Sequence, residues 1–166
     1  IWSKPIAMGD PILKVNGSKL LAADAGSGEI YVLEGRSVVW EDKADEAILN
    51  ADINKKGYVT VVTESKRYNN EIRVYDPYGI ELIRKVIAND FVVSALVSPS
   101  GKTLVVSGIS AGTTAAYSNY KIYDLEGNEL LSASFSESGE MLPVFWFGND
   151  NIFAAGDRAV ALLDKE

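Results

Sequence analysis

Apolar and polar residues alternate along Glu71–Ile87, and that stretch sets the pattern for the rest of the chain. Ile72 and Val74 fall against Arg73 and Tyr75, the run breaks at Asp76-Pro77-Tyr78-Gly79, and apolar residues resume at Ile80, Leu82 and Ile83. A period of two puts successive side chains on opposite faces, so two such runs around a Pro/Gly break read as a β-hairpin. The same shape returns at Asn119–Ser134, in shortened form at Glu29–Glu41, and begins again at Ala159–Glu166. Aligned on Val32-Leu33-Glu34, Val74-Tyr75-Asp76, Ile122-Tyr123-Asp124 and Leu162-Leu163-Asp164, the acidic residues are 42, 48 and 40 residues apart. Tyr58–Thr63 and Leu104–Val106 are short, β-branched and bounded by turns, and nowhere does an i, i+3, i+4, i+7 stripe run long enough for a helical repeat. The repeat is built from strands.

Four strands fit in each unit. Ile12–Val15 and Lys19–Asp24 flank Asn16-Gly17-Ser18; Ile48–Ile53 and Tyr58–Glu64 flank Asn54-Lys55-Lys56-Gly57. Phe91–Ser98 and Thr103–Ser107 flank Pro99-Ser100-Gly101, and Leu142–Phe147 and Ile152–Ala155 flank Asn149-Asp150-Asn151. Asn, Gly and Pro at these places supply the dihedrals tight turns require. A period in the forties, with strands in place of helices, is that of β-propeller blades. The expected fold is all-β and β-propeller-like: one repeat domain over residues 1–166, of four tandem four-stranded antiparallel meanders of about 40–48 residues each. The units fall near 8–44, 45–90, 91–139, and 140–166 with 1–7, because the last unit lacks a fourth strand and Ile1-Trp2-Ser3-Lys4 resembles Val39-Trp40-Glu41-Asp42. An N-terminal strand in that place would remove two free sheet edges. A small closed ring, half of a ring completed by self-association, and part of a larger ring are all compatible with four units.

The hairpins resemble the repeats of bacterial β-propellers of the PQQ-like and WD40-like type. Tyr75-Asp76-Pro77-Tyr78-Gly79 and Tyr123-Asp124-Leu125-Glu126-Gly127 match the acidic-turn-glycine part of that motif, and Leu33-Glu34-Gly35 leads on to Trp40 at the family's tryptophan position. Ile83 and Leu131 stand there in the later units. Ser98-Pro99-Ser100-Gly101-Lys102 resembles the entry to the second strand of WD40-like repeats. The resemblance implies an architecture; it does not imply an activity.

Composition narrows the chemistry. Cysteine and histidine are both absent, which removes disulfides, thiol chemistry, the usual neutral-pH general base and the commonest nitrogen ligand for metals. The quinone enzymes of this architecture commonly use adjacent cysteines, so no cofactor and no metal are expected. A net charge of -7 argues against nucleic acid as partner, since a phosphate backbone asks for a basic face. No apolar run reaches 18 residues, so no direct membrane insertion by a helix is expected in this segment. The chain opens at Ile1 without a leader pattern, and an excised domain of an anchored or secreted, extracytoplasmic bacterial protein is the expectation.

Glu34, Asp76, Asp124 and Asp164 fall at turns, where a carboxylate accepts backbone N–H groups. The tryptophans Trp2, Trp40 and Trp146 are read as packing between units. Asp24–Glu29 lacks the donor series of a calcium loop and reads as a plain connection. What varies from unit to unit is the link between second and third strands: Ala25–Gly28, Ser65–Asn70, Ile109–Asn119 and Gly156–Arg158. Variable loops on a constant scaffold are where recognition is grafted, and these would lie on the face of the unit-to-unit crossovers. Arg67, Tyr68, Asn69, Asn70, Tyr117 and Asn119 are the candidate binding residues, being types suited to a recognition patch. The expected function is a non-catalytic binding or scaffold domain for a protein or small-molecule ligand. The alternative is a carboxylate-dependent lyase or hydrolase with a site near the ring axis; no catalytic residue is assigned.

Overall fold

The computed structural model describes residues 3–111, 116–135, 141–147, 151–156 and 160–163. Four antiparallel sheets follow one another along the chain, each a simple meander. The first holds β1 (Pro11–Asn16), β2 (Lys19–Asp24), β3 (Glu29–Glu34) and β4 (Ser37–Lys43). The second holds β5 (Ile48–Ile53), β6 (Val59–Glu64), β7 (Asn70–Tyr75) and β8 (Glu81–Ile87). The third holds β9 (Phe91–Val97), β10 (Thr103–Ala111), β11 (Ala116–Asp124) and β12 (Glu129–Phe135), and the last holds β13 (Met141–Phe147), β14 (Asn151–Gly156) and β15 (Val160–Leu163). The fold is all-β and propeller-like. Among the described residues the last sheet has three strands, and Lys4 lies beside Glu41 and over the Tyr31 ring of the first sheet.

Sheets stack through their faces. β1 and β2 meet β5, β5 and β6 meet β9, and β9 and β10 meet β13. Alternation along each strand sends one set of side chains to the preceding sheet and the other to the next. Leu21, Ile30, Val32 and Trp40 thus join Ala51, Ile53, Val59, Val61 and Tyr75 in one core. Val62, Ile72, Val74 and Ile83 join Val97, Leu104, Val106 and Tyr123 in the next, and Val105, Tyr120 and Ile122 join Ile152 and Ala154 in the last. Tyr75 and Tyr123, equivalent in the repeat, have like surroundings. Both rings are buried at the joint with the preceding sheet, Tyr75 under Trp40 at 5.3 Å and Tyr123 under the Lys85 ammonium at 4.4 Å.

Polar groups tie the joints as well. Asn54 is buried in the turn between β5 and β6; its Oδ1 accepts the backbone N–H groups of Lys56, Gly57 and Tyr58, and its Nδ2 donates to the Ser98 carbonyl of the third sheet at 2.8 Å. Asn16 does the same one joint earlier, donating to the Ile53 carbonyl. A buried amide so fully paired fixes both its own turn and the neighbouring sheet. The acidic turns behave as expected at Asp76, whose Oδ1 accepts from Tyr78 and Ile80, and at Asp124, which accepts from Glu126 and Asn128. Glu34 differs: its longer side chain reaches out of its own turn to Ser18 and Lys19 on β2. Asp164 lies outside the described residues.

Each complete outer strand carries a β-bulge at one and the same place. Val32 pairs with Trp40 and Leu33 with Val38; Val74 pairs with Ile83 and Tyr75 with Glu81; Ile122 pairs with Leu131 and Tyr123 with Glu129. Val39, Leu82 and Leu130 are the extra residues, all exposed. The bulge keeps Trp40, Ile83 and Leu131 turned inward and twists a free edge that would otherwise template further strands.

Candidate functional site

The crossover from β4 to β5 comes down beside the link between β6 and β7, and a cleft of about 460 Å³ opens between them. Its walls are Asp45 and Glu46 on the crossover, Glu64 to Tyr68 on the link, and Glu71, Arg73, Arg84 and Val86 on the outer half of the second sheet. Backbone bonds hold the crossover down: Ala44 N–H donates to the Gly28 carbonyl, Ile48 N–H to Ala25 and Glu64 N–H to Ala47. Gly28 has φ of 78°, and a Cβ there would meet the Ala44 carbonyl oxygen at 2.7 Å, so only glycine allows this approach.

Arg73 forms the floor. It is buried, with Nε 2.8 Å from Glu71 Oε1 and Nη2 2.9 Å from Asp45 Oδ2. The guanidinium holds the Asp45 carboxyl below the usual carboxylate range. Arg84 forks onto Glu81 at 3.0 and 2.9 Å, and Lys66 pairs with Glu46 at 2.7 Å, which raises the Lys66 pKa. These charges are largely spent on one another. Arg67, Tyr68 and Glu64 remain exposed at the rim, with no ion pair among the described residues. The cleft offers a cation, an anion and an aromatic face above a fixed ion-pair floor.

Position 73 recurs. Lys121, its equivalent on β11, pairs with Asp90 on the crossover from β8 to β9 at 3.4 Å, and Tyr31 on β3 lies under Lys4 at 5.3 Å. Asp90 is buried; Ser110 Oγ and Asn119 Nδ2 both donate to its Oδ1, and Ser134 Oγ donates to Asn119 Oδ1. Those donors and the Lys121 charge outweigh its desolvation, which is the largest single influence, and its pKa falls. This network ties the crossover at the second joint to β10 and β11 and, through Asn119, to β12.

The candidate binding residues therefore divide. Arg67 and Tyr68 line the cleft, and the half-exposed Asn69 stands in the same link. Asn70 is buried at the start of β7: its Nδ2 donates to the Thr63 carbonyl at 3.4 Å and its Oδ1 accepts Val92 N–H at 2.7 Å. Tyr117 and Asn119 were expected in a loop and are strand residues, because pairing of β10 with β11 continues to Ala111–Ala116. Asn70 and Asn119 both reach the crossover at 90–92, from opposite sides. Sequence reasoning missed Asp45, Arg73 and Asp90; the signal was an Arg or Lys at the same register of successive apolar strands. Among the described residues no group of three His, Cys, Asp or Glu could hold a metal ion. Nor do the turn carboxylates converge, since each described one is bonded within its own sheet. The carboxyl pushed upward is Asp52 on β5, raised by burial to about 6.

A family model covers residues 1–166, and the chain belongs to DUF5711, a family of unknown function. No curated protein matches its sequence. Its fold is similar to the β-propeller domain of Cps50 (Swd1) from Myceliophteria thermophila, at TM-score 0.61 and 13% identity over 90% of this chain and 52% of that one. It is also similar to the C-terminal WD40 domain of Sif2, at 0.62 and 16% identity over 95% and 46%, and to a protein of unknown function from Bacteroides caccae, at 0.57 and 16% over 82% and 49%. This DUF5711 chain spans about half the length of these solved structures.

Proposed function

We propose that the chain is a non-catalytic interaction module that takes a short segment of a partner protein in the cleft at the first joint. The observation carrying this reading is the exposed pair Arg67 and Tyr68 above a floor in which Arg73 is already held by Glu71 and Asp45. Arg and Tyr supply large contact area and directed donors, and a floor already paired and buried needs little reordering on binding. Glu64 gives the same cleft a carboxylate for a basic side chain.

Peptides selected from a displayed library against the wild-type chain test it, with affinities then measured by calorimetry on Arg67→Ala and Tyr68→Ala. Each variant is expected to weaken the selected peptides by about tenfold or more, the ~1–2 kcal/mol typical of a truncated anchor. Both side chains are exposed, so their removal leaves the fold intact. Peptides that bind both variants as tightly as wild type would overturn the reading.

A further inference from the structure

An antiparallel meander sends its first and third turns to one end and its middle link, with the crossover, to the other. Two rows of turns therefore stand at the end away from the cleft. The outer row, between third and fourth strands, carries the carboxylates of Glu34, Asp76 and Asp124. The inner row, between first and second strands, is residues 17–18, 54–58 and 98–102 in the first three sheets, and it contains no Asp or Glu. Its charges are Lys55, Lys56 and Lys102, all exposed and none in an ion pair among the described residues. Side chains lace the row together. Asn16 Nδ2 donates to the Ile53 carbonyl and Asn54 Nδ2 to the Ser98 carbonyl, while Lys55 Cγ passes 3.4 Å from where a Cβ on Gly17 would stand. The Lys56 ammonium donates to the Ser100 carbonyl at 2.7 Å, which brings it to the turn that bears Lys102 and leaves its charge uncompensated. Lys14 and Lys19 at the same end are offset, the first by the charge of Asp52 and the second by its ion pair with Glu34.

We propose that this inner row docks an acidic segment of a partner protein, laid across the second and third sheets with its carboxylates against Lys55, Lys56 and Lys102. Charge complementarity names the occupant. Facing sheets stand about 10 Å apart and an extended chain rises about 3.3 Å per residue, so carboxylates about three positions apart match successive turns. The outer row of carboxylates keeps such a segment from turning outward along a sheet. A short segment feels mainly the lysines within a Debye length, about 8 Å at physiological salt. A nucleic acid or an anionic membrane extends over far more of a chain whose net charge is -7, and is repelled by it. The inference does not depend on the cleft, which lies at the opposite end of the sheets.

Fluorescence anisotropy of a dye-labelled hexaglutamate peptide mixed with the 166-residue chain tests it. Binding is expected at about 50 mM salt, with affinity falling several-fold by about 300 mM. Lys55→Glu and Lys102→Glu alter exposed side chains, so each is expected to keep the wild-type circular dichroism and to weaken the peptide about threefold or more. Lys43→Glu makes the same change in net charge at the other end of the sheets, where β4 finishes, and is expected to leave affinity within about twofold. No binding of the peptide at low salt would overturn the proposal, as would a loss from Lys43→Glu equal to that from the two turn variants. Vesicles of phosphatidylglycerol and phosphatidylcholine, or a DNA duplex, that hold the chain more tightly than the peptide does would overturn it in favour of a lipid or nucleic-acid surface.

Discussion

Substituting alanine for Gly79 separates the strain of a turn from the packing of a joint. Gly35, Gly79 and Gly127 close the hairpins between third and fourth strands, with φ of 61°, 86° and 88°. A Cβ in that left-handed region costs about 1–2 kcal/mol, offset by about 0.4–1 kcal/mol from the stiffer unfolded chain. At Gly35 and Gly127 nothing lies within 4 Å of the added atom, so alanine there costs only that difference, about 1 kcal/mol or less. At Gly79 the new Cβ would stand 2.8 Å from Trp40 Cγ in the preceding sheet. Trp40 cannot retreat easily, because the Tyr75 ring lies against it at 5.3 Å. Overpacking of that kind costs about 1–3 kcal/mol more, so Gly79→Ala is expected to lose roughly 2–4 kcal/mol. Urea unfolding followed by circular dichroism, on all three variants, gives the comparison directly. If Gly79→Ala and Gly127→Ala have the same midpoint, Trp40 is not fixed by the joint and the account of that core fails.

Asn54→Ala should cost about 1–3 kcal/mol, because it takes the acceptor from the Lys56 and Tyr58 N–H groups and removes the bond to the third sheet, while Gly57 N–H keeps the carbonyl of residue 54 and the Ser98 carbonyl keeps Gly101 N–H; a loss under about 0.5 kcal/mol in urea unfolding would mean water replaces the amide. Asp52 has its carboxyl raised from 3.8 to about 6 in the folded chain, so its ionised form is disfavoured there, and its contribution is intact at low pH and lost as pH climbs from about 4 to about 6. Asp52→Asn should therefore gain on wild type across that window by roughly 2–3 kcal/mol, and a gap between the two that does not change with pH would refute the assignment. Arg73→Met should lose about 3 kcal/mol by stranding Glu71, while Arg73→Lys, which installs the residue found at position 121, should recover part of it in thermal melts; equal losses would show that the charge plays no part.

The repeat was legible because its signal is local. Turn glycines, acidic hairpin residues and β-branched alternation survive in each unit, and they place the strands; that Arg73 and Tyr75, set against the apolar positions Ile72 and Val74, are buried as well was not legible, because both faces of the sheet are covered by neighbours. The bulges at Val39, Leu82 and Leu130 were not legible, since an extra apolar residue in an apolar strand leaves the composition unchanged. Reading Ile109–Asn119 as loop failed for a related reason. Ser110, Tyr117 and Asn119 look like loop residues, yet all three are paired between β10 and β11, and Ser110 and Asn119 also bond Asp90 on the crossover, 20 and 29 positions away in sequence. Arg67 and Tyr68 could be picked out because the link that bears them varies; the floor beneath them could not, because Asp45 and Arg73 are brought together only by the fold.

The floor of the cleft is one instance of an anchor that recurs along the chain. One register, occupied by Tyr31, Arg73 and Lys121, anchors whatever segment passes over each sheet, by a ring under an ammonium, a guanidinium between two carboxylates, and an ammonium on a buried carboxylate. At Lys121 the partner Asp90 is buried and bonded to Ser110 and Asn119, so the crossover is tied to β10 and β11. At Arg73 the forked donor reaches Glu71 on its own strand and Asp45 on the crossover at once, and Asp45 stays exposed, so the crossover is held at arm's length. A lysine has no second fixed donor with which to span that gap. The width of the opening therefore rests on the guanidinium, and Arg73→Lys should narrow it: the protein should remain folded by circular dichroism while the selected peptides bind about tenfold more weakly, a loss of ~1.4 kcal/mol. Unchanged peptide affinity in a folded Arg73→Lys chain would show that the space between crossover and link is set by the backbone bonds of Ala44, Ile48 and Glu64 alone.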